Sequence, residues 1–343
     1  MNRRITIALL MIVAIIGILF FRTAAFKGQQ SAPNEYQHNE GTIFGTLYHA
    51  KYLYDKDLKA DIEASLQKVD ASLSMFNPQS TISRFNRGET DEADEMLGEV
   101  LSLSFSVNKA TGGAFDPTVA PLVNAWGFGF KNGQLPDSTQ VDSLLALIGL
   151  SSIHLQDGKL TKDNPLSILD FSAIAKGYGV DKAAQVLRDN GIRNFMVEIG
   201  GEVVTEGVNE KGQPWRIGIN KPDDDSTSTN TELQDIISLS GKAIATSGNY
   251  RNFYINNGRK IAHTINPRTG YPAQQDILSS TVMAPTCAEA DAFATAFMVL
   301  GMEEARKVLQ EQPQLEAYFI YSDEQGNYQT WYTEGFASFI IKD

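Results

Sequence analysis

Ile168-Leu169-Asp170-Phe171-Ser172-Ala173-Ile174-Ala175-Lys176-Gly177-Tyr178-Gly179-Val180-Asp181 is the stretch on which the reading of this chain turns. It opens as a strand, breaks over small residues and restarts as a helix. Val180, Ala183, Ala184 and Leu187 give that helix an apolar stripe at i, i+3, i+4 and i+7. Gly191 is placed to stop it, and residues 194–199 read as the next strand. Asp170, Ser172 and Lys176 therefore gather at one strand-to-helix junction. A junction of this kind offers unpaired backbone groups beside charged side chains, which suits a phosphate and its metal. A helix cap with a surface lysine is the plain alternative.

Working outward, the composition narrows the classes. With 343 residues, 42% of them hydrophobic, the chain can bury a large core. The net charge of −12 argues against non-specific nucleic-acid binding. Any anionic ligand must then be held by local donors or a metal. The single cysteine, Cys287, excludes a disulfide framework and a thiolate metal site. His38, His49, His154 and His263 lack zinc-ligand spacing.

Arg3 and Arg4 precede an apolar run over residues 5–21, about the minimum for a membrane span. The positive flank would stay in the cytoplasm and the remainder would be exported. Residues 1–25 are expected to be a membrane anchor, or a signal segment cleaved after Ala24-Ala25. Residues 26–40 are polar and read as a linker. The folded domain is expected over 41–343.

Within it, residues 42–50 read as one strand, with Gly45-Thr46 marking close backbone approach. Leu58, Ile62, Leu66, Val69 and Leu73 predict an amphipathic helix, and residues 95–109 a second. Residues 141–148 predict a short helix, and 153–160 a hairpin turning at Asp157-Gly158. Strands are expected at 215–219, 242–246, 252–255, 260–265 and 279–284, with a surface loop at 222–231 and a turn at Asn257-Gly258. Thr286 and Glu289 have capping-box spacing for a helix that stops at Gly301; another follows over 303–310, then a closing hairpin. This mixed order predicts an α+β fold.

Several residues carry candidate chemistry. Asp291 and Thr295, at i and i+4, share a helix face and form an oxygen pair suited to a hard cation; the carboxylate also simply favours a helix N-terminus. Asp116 lies in a Gly-Gly-Ala-Phe-Asp-Pro loop, where a turn role competes with ligand binding. Phe115 and Phe76 are aromatics beside turns, open to ring stacking or to core burial. His263, at a strand end, suits a proton carrier or phosphate donor, or a structural histidine. Gly200-Gly201 between Glu198 and Glu202 admits a ligand or a bulge. No Walker loop, G-x-G-x-x-G, G-x-S-x-G or H-E-x-x-H is present.

Taken in order, seven motifs resemble the ApbE-like FAD:protein FMN transferases: Gly45-Thr46 and the segments 80–86, 112–118, 170–181, 198–202, 263–270 and 291–295. The resemblance implies mixed sheets flanked by helices, and an enzyme that breaks the pyrophosphate of FAD. FMN would pass to a threonine or serine hydroxyl of an exported flavoprotein, such as a respiratory complex subunit, and AMP would leave. It implies Mg²⁺ held by Asp291, Thr295 and the Ala173 carbonyl. Phe44, Phe76, Ala114, Phe115, Asp116, Asp170, Lys176, His263 and Ile265 would line the flavin and adenine sites. His263, Asp291 and Asp170 are the candidates for accepting the hydroxyl proton. The domain would stand on the periplasmic side of the inner membrane, with no nucleic-acid partner. Phe44 replaces the methionine usual in the family, and no lipobox cysteine follows the apolar run, so attachment would depend on residues 5–21. Two other functions use the same residues: an FAD pyrophosphatase giving FMN and AMP, and a non-catalytic exported flavin-binding protein.

Overall fold

The computed structural model describes residues 35–129, 135–222, 232–249, 253–256, 259–323 and 325–342. The chain separates into residues 1–35 and a unit spanning Tyr36–Asp343, described here by itself. The apolar run at 5–21, the expected loop at 223–231 and the Asn257-Gly258 turn lie outside the described residues. Among the described residues, no helix is long and apolar enough to cross a membrane.

Alternation builds the central sheet. Its strands are β1 (Tyr36–Ile43), β2 (Thr46–Leu53), β5 (Phe195–Ile199), β6 (Glu202–Glu206), β9 (Lys242–Gly248), β12 (Ile277–Ala284), β13 (Glu316–Ser322) and β14 (Tyr328–Tyr332). They lie in the order β1-β2-β5-β6-β9-β12-β13-β14, and every ladder is antiparallel. Tyr48, Val197, Val204, Ala245, Val282 and Phe319 point to one face. Val203, Ile244, Met283, Tyr318 and Ile320 point to the other.

The first face is covered by helices α1 (Lys59–Leu73), α3 (Glu95–Ala110), α6 (Ala175–Asp189) and α7 (Cys287–Glu311), whose apolar stripes join two core clusters. The second is covered by the ribbon of β7 (Trp215–Asn220) and β8 (Leu233–Leu239) and by Phe336. Short helices α2 (Thr81–Asn86), α4 (Ala120–Ala125) and α5 (Ser138–Leu145), with hairpins β3 (Ile153–Gln156)–β4 (Lys159–Lys162) and β10 (Phe253–Asn256)–β11 (Arg259–Ala262), complete the unit. The architecture is a large antiparallel sheet with helices, within the α+β class expected.

Three local expectations change and one holds. Residues 42–50 form a hairpin, because Phe44 (φ +51°) and Gly45 (φ +74°) turn the chain between β1 and β2. Since β1 begins at Tyr36, residues 36–40 belong to the sheet and not to a linker. Residues 168–170 join no ladder: Leu169 N–H donates to Asn86 Oδ1 at 2.9 Å, and Asp170 N–H to the Pro117 carbonyl at 2.7 Å. The two helices expected after Thr286 are present as expected: Gly301 (φ +73°, ψ 177°) leaves helical geometry and breaks α7 there, and a Cβ on it would stand 2.7 Å from Gln275 Oε1.

Candidate active site

The quoted junction sits where α6 starts, and Gly177 decides its geometry. A Cβ at Gly177 would lie 2.3 Å from the Cys287 carbonyl oxygen, so glycine alone lets the starts of α6 and α7 touch. At that contact Gly177 N–H donates to Asp291 Oδ2 at 3.0 Å. Turning this donor onto the carboxylate leaves the Ala173 carbonyl, four residues back, for another partner. One turn beyond Asp291, the Thr295 hydroxyl lies 3.1 Å from Ser247 Oγ on β9. Asp291 is 3% exposed and Glu202 is 2% exposed.

Lys176 forms an ion pair with Glu202. Burial works against the charge on Lys176, but Asp291 and Glu202 outweigh it and hold the amine protonated above its usual range. Burial pushes the carboxyls of Glu202 and Asp291 upward, opposed by Lys176 in both cases and by the Gly177 N–H at Asp291. Asp170 is also pushed up by burial, against bonds from Ser172 N (2.8 Å) and Ser172 Oγ (2.5 Å).

These groups line a cavity of about 460 Å³ together with Ala114, Phe115, Asp116, Ala173, His263, Ile265 and Thr295. A second cavity, about 500 Å³, is lined by Phe44 and Phe76 and shares Ser172 and Lys176 with the first. The expected ligand residues are therefore all at one place, but split into two chambers that meet at Lys176. Phe76 is 73% exposed, whereas Phe115 is a core residue. Asp116 takes the turn role: Thr118 N and Oγ1 donate to its Oδ1, and Leu150 N and Asn108 Nδ2 to its Oδ2. His263 packs edge-on to Phe128 at 6.3 Å. Arg268, next to the lining residue Pro267, ties its loop to the segment ahead of Ala114, donating to the Thr111 carbonyl at 2.6 Å and the Gly112 carbonyl at 3.0 Å.

Sequence reasoning passed over Glu202 as a site residue and missed Ser247. A usable signal existed, since alternation places Glu202 beside Val204, and Ser247 beside Ala243 and Ala245, on the helix-covered face.

Among the described residues, no group of three or more His, Cys, Asp and Glu side chains could hold a metal ion. The set at hand is a different one: a carboxylate, a hydroxyl and a backbone carbonyl, with one oxygen of buried Glu202 lacking a partner. Two buried carboxylates face a single ammonium. All-oxygen donors of this kind, with phosphate oxygens to complete them, are what Mg²⁺ takes. The arrangement is thus that of an acidic, largely buried pocket in which one lysine stands among carboxylate, hydroxyl and carbonyl oxygens.

The model of the ApbE family matches residues 44–319. FAD:protein FMN transferase from Vibrio cholerae is 36% identical over 321 residues, 90% of this chain and 94% of that protein. Its counterpart from Haemophilus influenzae is 38% identical over 303 residues, 83% and 86% of the two chains. The solved flavin transferase ApbE from Vibrio cholerae superposes with a TM-score of 0.80 at 34% identity, covering 90% of this chain and 100% of that one. The apo flavinyl transferase ApbE from Pseudomonas stutzeri gives 0.79 at 30% identity, covering 89% and 96%. The chain belongs to the ApbE family.

Proposed function

We propose that this chain is a flavin transferase that takes FAD, with Mg²⁺, and places FMN on a threonine or serine hydroxyl of an exported flavoprotein, releasing AMP. Membership of the ApbE family and relatives named FAD:protein FMN transferase support flavin transfer. One observation carries the finer reading: Lys176, held protonated, stands where two chambers meet, as a pyrophosphate between two ring systems requires.

The acceptor hydroxyl oxygen forms a bond to the phosphorus of the FMN half. The bond from that phosphorus to the oxygen bridging to the AMP phosphate breaks, and AMP carries the electron pair away. Such transfer depends on positioning and charge neutralisation more than on covalent help from the protein. Asp291, Thr295 and the Ala173 carbonyl would hold Mg²⁺, which when bound offsets pyrophosphate charge. Lys176 faces the phosphate oxygens. Asp291, Asp170 and His263 all line this cavity and are the candidates for accepting the hydroxyl proton. Phe44 and Phe76 offer ring faces in the second chamber. We read residues 1–25 as the membrane anchor or signal segment, with the catalytic unit on the periplasmic side of the inner membrane.

The test incubates the full chain with FAD and Mg²⁺, with and without an exported flavoprotein, and follows acceptor mass and AMP release. A gain of one FMN on the acceptor, abolished by chelation and restored by Mg²⁺, is expected. AMP without modification would instead support the pyrophosphatase, and intact FAD under every condition the binding protein.

A further inference from the structure

Glu202 is 2% exposed, opens β6 immediately after Gly200-Gly201, and lines the cavity that also holds Asp291 and Thr295. One of its oxygens is taken by Lys176. The other, Oε2, is buried with no hydrogen-bond partner among the described residues. An unmet buried carboxylate oxygen is costly, so a partner must come from what the cavity binds. Charge points the same way. Among the described residues, Lys176 is the one lysine or arginine lining a cavity that Glu202, Asp291, Asp170 and Asp116 line with carboxyl groups, so acidic groups outnumber it. A bound pyrophosphate alone would worsen that balance, while a divalent cation corrects it.

We propose that Glu202 completes the divalent-cation site, its free oxygen accepting a hydrogen bond from water on the cation. This rests on the Mg²⁺ reading above. Mg²⁺ gives up its water reluctantly and retains several in protein sites, and each needs an acceptor. Lys176 holds Glu202 Oε1, so the carboxylate cannot swing away, and the ammonium and the cation occupy its two ends. Glu202 is a positioning residue here, acting through water and not as a direct ligand.

The test measures binding of Mn²⁺ to the full chain by electron paramagnetic resonance, with Mg²⁺ competition, for the wild type, Glu202→Gln and Glu202→Asp. FAD affinity without metal and the thermal unfolding midpoint are measured beside it. Glu202→Gln is expected to weaken Mn²⁺ binding about 10- to 100-fold, the usual range for outer-shell partners. Glu202→Asp, which keeps the charge at shorter reach, should fall between. A folded Gln or Asp variant that binds Mn²⁺ like the wild type overturns the proposal. So does a loss confined to FAD affinity, which would make Glu202 an anchor for Lys176 only. A wild type that binds no Mn²⁺ overturns the Mg²⁺ reading itself, which separates the two failures.

Discussion

Asp181 shows how much of this site is held by single carboxylates away from the ligand. Its two oxygens accept from Cys287 N and Ala288 N, each at 2.9 Å, and so cap the start of α7 four residues before Asp291. Burial pushes its carboxyl up to about 6, against the pull of those two amides. The folded protein therefore binds this proton more tightly than the unfolded chain does. The corresponding stability is present at low pH and is lost as pH rises through about 6. Asp181→Asn should remove the slope. Wild type minus variant, measured by urea unfolding, should improve by roughly 2 kcal/mol between pH 7 and pH 4. A difference that stays flat would mean that the carboxyl is not buried in this way. Legibility at this scale follows locality. Asp170, Lys176, Asp291 and Thr295 stand in short motifs whose spacing betrays them. Glu202 and Ser247 take their roles from neighbours contributed by other strands and helices; alternation with Val204, Ala243 and Ala245 tells only that they face the helices, not what they meet there.

Between elements, the contact that matters most is α6 against α7. Gly177→Ala would drive a methyl group into the Cys287 carbonyl, and a backbone neighbour does not give way as a flexible side chain can. A stability loss of about 1–3 kcal/mol is expected by urea unfolding. Because the same shift draws Gly177 N–H off Asp291, the Mg²⁺ concentration for half-maximal AMP release should rise too. Unchanged values for both would dismiss the contact as the organiser of the site. The helices themselves were readable because their apolar stripes are long and regular. The Phe44-Gly45 turn was not, because a bulky aromatic at positive φ carries none of the Asn-Gly signature of a two-residue hairpin. Residues 168–170 look like a strand because Ile168 and Leu169 form an apolar pair ahead of a helix. Their donors go to Asn86 and Pro117, partners that only the tertiary fold brings near. The β8 strand went unread, since its pairing with β7 crosses a polar stretch that hides the hairpin.

At the scale of the whole unit, mixed element order was enough to indicate an α+β class, while the strand order of the central sheet was not. Placing β9 between β6 and β12 depends on long-range pairing that no window of sequence contains. The sheet's first edge yields a further prediction. Tyr36 pairs with Leu53, Asn39 Nδ2 donates to Asp57 at 3.0 Å, and Tyr52 donates to Asn39 Oδ1 at 2.7 Å. A chain beginning at Gly41 loses all three. It should unfold several degrees below one beginning at residue 34, by calorimetry; equal midpoints would show that β1 adds nothing to the unit. The hairpin that begins there also has a length. From the Tyr36–Leu53 end to the Phe44 turn it spans about 25 Å, and Phe44 lines the chamber shared at Lys176. Tyr36 and Phe44 thus stand at opposite ends of one ribbon, so a change at Tyr36 can loosen the edge of the sheet without altering the lining of the chamber.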